Sequence, residues 1–141
     1  MMRRIRKCSS SQGFTLLELI VVVGIIGVIA AIAIPQYGTY KSRAVDSQMQ
    51  SALKNARTAM EAYYIDHNDY PAPGKEALLE GEGDKDYGYR PTDGVTLEIV
   101  KVTEALDYTL RACANGGSAD SWVFSTNDGK TERGGSCEEG S

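Results

Sequence analysis

The 141-residue sequence predicts an α+β fold, with one long N-terminal helix laid on a small antiparallel sheet of about four strands. Three patterns predict it. An apolar run extends from Phe14 to Ile34. An amphipathic stripe with spacings of three and four follows, from Val45 to Tyr63. Alternating apolar and polar residues fill the last third of the chain. Spacings of three to four belong to helices and a period of two to strands.

The apolar run comes first. From Leu19 to Ile34 no side chain is polar. The run is as long as the roughly 20 residues that a helix needs to cross a bilayer. Glu18 nevertheless lies one turn inside it. An ionised side chain costs roughly 2.5–3.5 kcal/mol at the bilayer centre and less near an interface, so an acid kept there calls for a partner or a function. Residues 1–13 hold Arg3, Arg4, Arg6 and Lys7 and no acid. Basic clusters beside a spanning helix stay on the cytoplasmic side. The N-terminus is therefore expected inside and everything after Pro35 outside. Ala31-Ile32-Ala33 has the form of a signal-peptide cut site. An ordinary signal core, however, has about 7–15 apolar residues, and this run is longer and interrupted by Glu18. A plain membrane anchor accounts for the length and orientation but not for Glu18 or for Gly13-Phe14.

Pro35 removes a backbone donor and crowds the turn before it, so the helix should kink or loosen there and the Ala31 carbonyl should lose its usual partner. Gly24 and Gly27 lower helix propensity and let another helix approach closely. Ordinary transmembrane glycine usage is the alternative reading of both. Beyond Pro35, the residues Val45, Met49, Ala52, Ala56, Met60 and Tyr63 make one apolar stripe. Arg43, Asp46, Gln50, Lys54, Arg57 and Glu61 fall on the other sides. No Gly or Pro lies between Gly38 and Tyr70, so the helix should run to about Asp66. His67-Asn68-Asp69-Tyr70-Pro71 is a stop signal. A helix from Phe14 to Asp66 would measure roughly 80 Å at 1.5 Å per residue.

Residues 68–94 read as an acidic loop, with Glu76, Glu80, Glu82, Asp84 and Asp86 among several Gly and Pro. Lys75 to Leu79 can form one helical turn. The Asp84-Lys85-Asp86 spacing invites a calcium reading, but no full twelve-residue loop follows it, and a solvated loop is the better account. Strands follow over residues 95–141. Val95, Leu97 and Ile99 alternate with Thr96 and Glu98; Leu106, Tyr108, Leu110 and Ala112 alternate with Asp107, Thr109 and Arg111. Trp122 and Phe124 mark a third strand, and Lys130 to Arg133 a short fourth. Asn115-Gly116-Gly117 and Asn127-Asp128-Gly129 turn the chain between them. An antiparallel sheet with one apolar face needs a cover, which the stripe from Val45 to Tyr63 supplies.

Catalytic chemistry finds no support. The one histidine, His67, suits a helix C-terminus, where the dipole favours it. No phosphate loop, glycine fingerprint or metal motif occurs, so no enzyme, metal or cofactor is expected. The eight tyrosines, Tyr37, Tyr40, Tyr63 and Tyr64 among them, are explained by packing rather than by electron transfer.

Gly13-Phe14-Thr15-Leu16-Leu17-Glu18-Leu19 resembles the processing site of type IV prepilins. The short basic leader, the glycine before phenylalanine, the acid that follows and the Pro35 that ends the apolar run all match. The resemblance implies the type IV pilin fold, with the chain divided into a leader 1–13, a membrane and filament-core helix 14–35 and a head 36–141. The head would comprise the amphipathic helix half 36–67, the loop 68–94 and the sheet and disulfide loop 95–141. It implies cleavage between Gly13 and Phe14 by a membrane prepilin peptidase, which also methylates the new Phe14 amine. It also implies loss of helical order between about Gly24 and Pro35 within a filament. Removing the leader's four basic residues takes the formal charge from −4 to −8, which argues against nucleic acid as a routine partner. Cys8 departs with the leader, leaving Cys113 and Cys137 on the side where disulfides persist. They read as one bridge contributing roughly 3 kcal/mol, or else as two free thiols. With the lone His67 they fall short of the four ligands of a zinc site.

In a dry bundle of such helices Glu18 needs a cation, and the nearest candidate is the Phe14 amine of the same protomer or of a neighbour, the pairing with an adjacent subunit being the one that would set register. A snorkelling interfacial acid is the bland alternative. The function implied is that of a structural subunit of a type IV pilus serving adhesion, twitching motility or DNA uptake. It would be stored as a single-pass inner-membrane precursor and polymerised by the inner-membrane assembly machinery into an extracellular homo-oligomer. A pseudopilin of a type II secretion system, forming a periplasmic pseudopilus, is the alternative. The stretch Ala62 to Pro71 resembles the helix end common in major pseudopilins, whereas the Cys113 to Cys137 loop resembles pilins more. A monomeric membrane-anchored binding module is the third reading, and it requires no cut after Gly13.

Overall fold

The structure, a computed structural model, describes residues 13–81, 83–103 and 106–137. The leader residues before Gly13, Cys8 among them, and Glu82 of the acidic loop lie outside the described residues. In chain order come helix α1 (Leu16–His67), a 3-10 turn (Glu76–Leu79) and strands β1 (Thr96–Val102), β2 (Tyr108–Cys113), β3 (Ser121–Ser125) and β4 (Thr131–Gly134). This is an α+β chain with a four-stranded antiparallel meander in the order β1-β2-β3-β4. It forms two compact units, one ending at Tyr37 and one beginning at Gly38.

In the first unit α1 runs unbroken through Gly24, Gly27 and Pro35. A proline inside a helix removes one hydrogen bond, and here the turns on either side carry the helix past it.

The second unit is built on the face of α1 that carries Met49, Ala52, Leu53, Ala56, Ala59 and Met60, all buried. These residues share one core with Leu97, Ile99, Tyr108, Leu110, Ala112 and Phe124 of the sheet. The register explains the layering. Ile99 pairs with Leu110, and Leu110 pairs with Phe124, so one row of side chains points at the helix. Val45 and Tyr63 of the predicted stripe are only half-buried at its margins. Arg57 lies over the Phe124 ring, 3.9 Å from its centroid, and covers the core with its guanidinium plane.

Two sequence expectations need correction. Asp46, read as lying off the buried stripe, is buried. Its carboxylate accepts hydrogen bonds from the Ser118 N–H (2.9 Å), the Ser118 hydroxyl and the Trp122 indole (3.4 Å). Those donors exist only once the β2–β3 loop has folded back on the helix, so helix periodicity alone could not find them. Gly117 fits beside this node because it lacks a side chain: an added Cβ would lie 2.7 Å from Asp46 Oδ1 and 2.9 Å from the Met49 methyl. Leu106, read as the first residue of a strand, is outside β2 and exposed, with φ 63°. The turn between β1 and β2 is closed by Thr103 N–H donating to the Asp107 carbonyl (2.8 Å) and Asp107 N–H donating to the Thr103 hydroxyl (3.2 Å). Leu106 takes the left-handed position that this reversal requires.

The acidic loop does more than shield the head. Leu79, Tyr87 and Tyr89 enter the core. Glu76, on the 3-10 turn, accepts the Ile99 N–H at 2.7 Å and so blunts β1, an edge strand of the sheet. Glu61 ties the helix to two tyrosines, accepting from the Tyr108 hydroxyl at 3.0 Å and the Tyr70 hydroxyl at 3.2 Å. Burial first, and the Glu61 charge second, push Tyr70 up to about 12 and Tyr108 higher still, so both remain donors.

Burial alone would raise the Asp46 carboxyl, but its hydrogen bonds from Ser118, Trp122 and the Ala119 backbone together hold it below the ordinary 3.8. The unfolded chain therefore takes up this proton first as the pH falls, and the stability tied to Asp46 is lost as pH drops through the folded value. Asp86, held at about 2 chiefly by Arg90, adds to the same limb. Asp46→Asn is expected to lower the urea midpoint at neutral pH and to flatten, without abolishing, the fall in midpoint below about pH 4. Denaturation series across acid and neutral pH check both.

Candidate functional site

The residues singled out for processing and assembly lie at the start of α1. Gly13, Phe14 and Thr15 precede the helix, and Leu16 is its first residue. Phe14 is 88 % exposed, and an added Cβ at Gly13 would touch nothing within 4 Å. The peptide bond between them is thus outside regular structure and open on both sides.

Thr15 and Glu18 close the helix end together. The Thr15 N–H and hydroxyl donate to Glu18 Oε2 at 3.0 and 3.1 Å, and the Glu18 N–H donates to the Thr15 hydroxyl at 3.2 Å. This is a capping box, in which side chains satisfy backbone donors that the first turn leaves unpaired. A carboxylate in the first turn also suits the positive end of the helix dipole. The acid in the apolar run thus has a partner within its own chain. The sequence signal was available: Thr15-x-x-Glu18 is the capping spacing. Both bonds to the carboxylate use Oε2, which leaves Oε1 without a hydrogen bond among the described residues.

Downstream, every large apolar side chain from Leu16 to Ile34 is at least 49 % exposed. Added Cβ atoms at Gly24 and Gly27 would meet nothing within 4 Å, so both glycines are shallow points on an open helix surface. This part of α1 is long and apolar enough to cross a membrane.

The other predicted pair belongs to the second unit. Cys113 ends β2, Cys137 follows β4, and they form a disulfide with Cα atoms 6.1 Å apart. The bridge spans the row in which Cys113 pairs with Ser121 and Ser121 with Gly134. Small residues make that row passable. Ser121 is fully buried, with its hydroxyl donating to the Gly135 carbonyl at 2.7 Å. An added Cβ at Gly134 would lie 2.6 Å from a Val123 methyl.

His67 is the last residue of α1; its Nδ1 lies 3.1 Å from the Tyr63 carbonyl and its ring stacks on Tyr63. In the acidic loop, Asp86 is engaged by the Arg90 guanidinium and the Gly88 N–H, and Lys85 pairs with Asp66 at 3.0 Å. Among the described residues no group of three or more His, Cys, Asp or Glu could hold a metal ion.

Residues 8–34 match the family described as the prokaryotic N-terminal methylation motif, a stretch that includes the Gly13–Phe14 bond, the capped acid and both glycines. Three relatives extend the likeness beyond the motif. The type IV major fimbrial protein FimA of Dichelobacter nodosus is 50 % identical over 71 residues, half of this chain and 43 % of that protein. The type IV major pilin protein PilA of Myxococcus xanthus is 38 % identical over 80 residues, 57 % of this chain and 36 % of that protein. The chain carries this methylation motif and is similar to type IV pilins. A fimbrial protein of Neisseria meningitidis is 32 % identical over 94 residues, 67 % of this chain and 55 % of that protein. The chain spans between about a third and a little over half of the lengths of these relatives.

Two outcomes test the geometry. Thr15→Val removes the cap hydroxyl and is expected to fray the first turn of α1, at a cost of about 1 kcal/mol; faster amide exchange at residues 16–19 in detergent micelles, with exchange at 49–60 unchanged, is the readout. Cys113→Ser with Cys137→Ser is expected to lower head stability by about 2–5 kcal/mol, the usual range for a native bridge in a small secreted domain, measured by denaturant unfolding.

Proposed function

We propose that this chain is a structural subunit of a type IV pilus, made as a membrane-anchored precursor and assembled through the first part of α1. The observation that carries the reading is the apolar surface from Leu16 to Ile34, left open by its own chain and headed by a capped carboxylate. Such a surface is stable in lipid or against copies of itself. In lipid there is no hydrophobic drive between helices, so close packing and polar pairs decide association. Gly24 and Gly27 supply the close approach, and Glu18 supplies the polar element.

Cleavage between Gly13 and Phe14 by the prepilin peptidase would create an amine one residue before the Thr15 cap, and methylation would leave it charged. Oε1 of Glu18 would then accept from the Phe14 amine of a neighbouring subunit while Oε2 keeps Thr15. A buried charge pair is tolerated only when both members are present, so this contact would fix register rather than add much stability. Outside the membrane the same surfaces would be buried in the filament core, with Pro35 as the point where α1 can loosen. We assign the chain no catalytic reaction; its partners would be other subunits, the peptidase and the inner-membrane assembly machinery. The extracellular pilus is favoured over a type II secretion pseudopilus by the bridged C-terminal segment and by relatives named as pilins and fimbrial proteins. The helix end from Ala62 to Pro71 is what speaks for the pseudopilus.

In cells that carry the peptidase, the mature chain is expected to start at N-methylated Phe14 by mass spectrometry, and sheared surface filaments should contain it. Glu18→Ala should be cut normally yet give no filaments. A chain that keeps its first thirteen residues overturns the reading, and short periplasmic filaments alone would move it to the secretion system.

A further inference from the structure

We propose that Asn115-Gly116 is a site of spontaneous deamidation in the folded protein, and that the conversion loosens the β2–β3 loop from α1. The loop runs over residues 114–120. Its base is closed by Ala114 N–H donating to the Asp120 carbonyl, and its far side is held to Asp46 through Ser118. Between these anchors Asn115 and Gly116 are exposed. Among the described residues the Asn115 side chain has no hydrogen-bond partner and the Gly116 N–H has no acceptor. Gly116 has φ 90°, and an added Cβ there would meet nothing within 4 Å, so water reaches the backbone freely.

The chemistry needs only these groups and water. The Gly116 backbone nitrogen gives its proton to water and attacks Cγ of Asn115. The new C–N bond closes a five-membered imide, and the side-chain nitrogen leaves as ammonia. One water molecule then adds to either imide carbonyl and breaks one of its C–N bonds, giving aspartate or isoaspartate. Nothing is oxidised or reduced. The glycine matters because no Cβ obstructs the attack and the backbone can reach the conformation it requires.

The chain carries its own comparison. Asp128-Gly129 could form the same imide by losing water. There, however, the Gly129 N–H donates to the Ser125 carbonyl at 3.0 Å and the Asp128 carboxylate accepts the Lys130 N–H at 3.1 Å, so nucleophile and electrophile are both held apart. Asn55, Asn68 and Asn127 are followed by Ala56, Asp69 and Asp128, each with a side chain in the way.

The product matters because of its neighbours. Gly117 is packed against Asp46 Oδ1, so a carboxylate two positions away adds like charge beside a buried acid that the Ser118 bonds hold ionised. The isoaspartate form also lengthens the loop backbone by one atom.

The test is to age the full chain in detergent micelles at neutral pH and map its peptides by mass, with isoaspartate detected by enzymatic methylation. Asn115 should convert several-fold faster than Asn55, Asn68 or Asn127, and amide exchange at Ser118 should rise several-fold in the converted fraction. Asn115→Gln, which keeps the loop but disfavours ring closure, should stay unconverted with slow Ser118 exchange. The proposal is overturned if Asn115 persists in the folded chain while converting in urea, or if another asparagine converts first. Conversion with Ser118 exchange unchanged overturns the loosening.

Discussion

The buried face of α1 against the sheet is the contact from which the rest of the head is organised. Apolar burial is strong but has no direction, so Met49, Ala52, Ala56 and Met60 packed on Leu110 and Phe124 would tolerate sliding along the helix. Direction comes from two carboxylates near the ends of that face. Asp46 takes the β2–β3 loop through Ser118 and Trp122, and Glu61 takes β2 and the segment after the helix through Tyr108 and Tyr70. They stand fifteen residues apart on α1, roughly 22 Å along a helix. Fixed at both ends, the sheet has one register on the helix, and each acid has its acceptor sites filled by donors from another element.

A third carboxylate on the same helix, Glu18, is handled differently. Its hydrogen bonds are local, to Thr15 three residues back, because the first part of α1 has no covering layer of its own in the described chain. One helix thus contains two solutions to the same problem. Where a sheet is available, acids reach across to it; where the described chain supplies no such layer, the acid caps its own backbone.

Periodicity made the architecture legible. The spacing of three and four located the buried half of α1, alternation located three strands, and Asn-Gly and Asp-Gly located two of the turns, the second of which leads into the fourth strand. Misreadings arose where a residue's role is set by contacts outside its own helix or strand. Asp46 looks like a surface acid until Ser118, seventy-two residues later, arrives. Leu106 has the right parity for a strand, but the Thr103–Asp107 closure needed a residue just there to turn the chain. Leu79, Tyr87 and Tyr89 sit in a loop without period, so nothing local announces that they complete the core. At the N-terminus the failure was of another kind. The Glu18 charge stands out in the apolar run, while the nearer polar residue, Thr15, carries the local explanation.

The disulfide from Cys113 to Cys137 also decides how the head would carry tension. A pull between α1 and the C-terminal end of the described chain enters the sheet through β1 and β2 and reaches Cys113. From there the covalent bridge passes it directly to Cys137, across a sequence separation of 24 residues that contains all of β3 and β4. Those two strands lie off the line of force. Their contour, about 80 Å if drawn out at 3.3–3.6 Å per residue, is unavailable for extension while the bridge is intact. The weakest strand of the sheet by length, β4, is therefore also the one that mechanical load cannot peel.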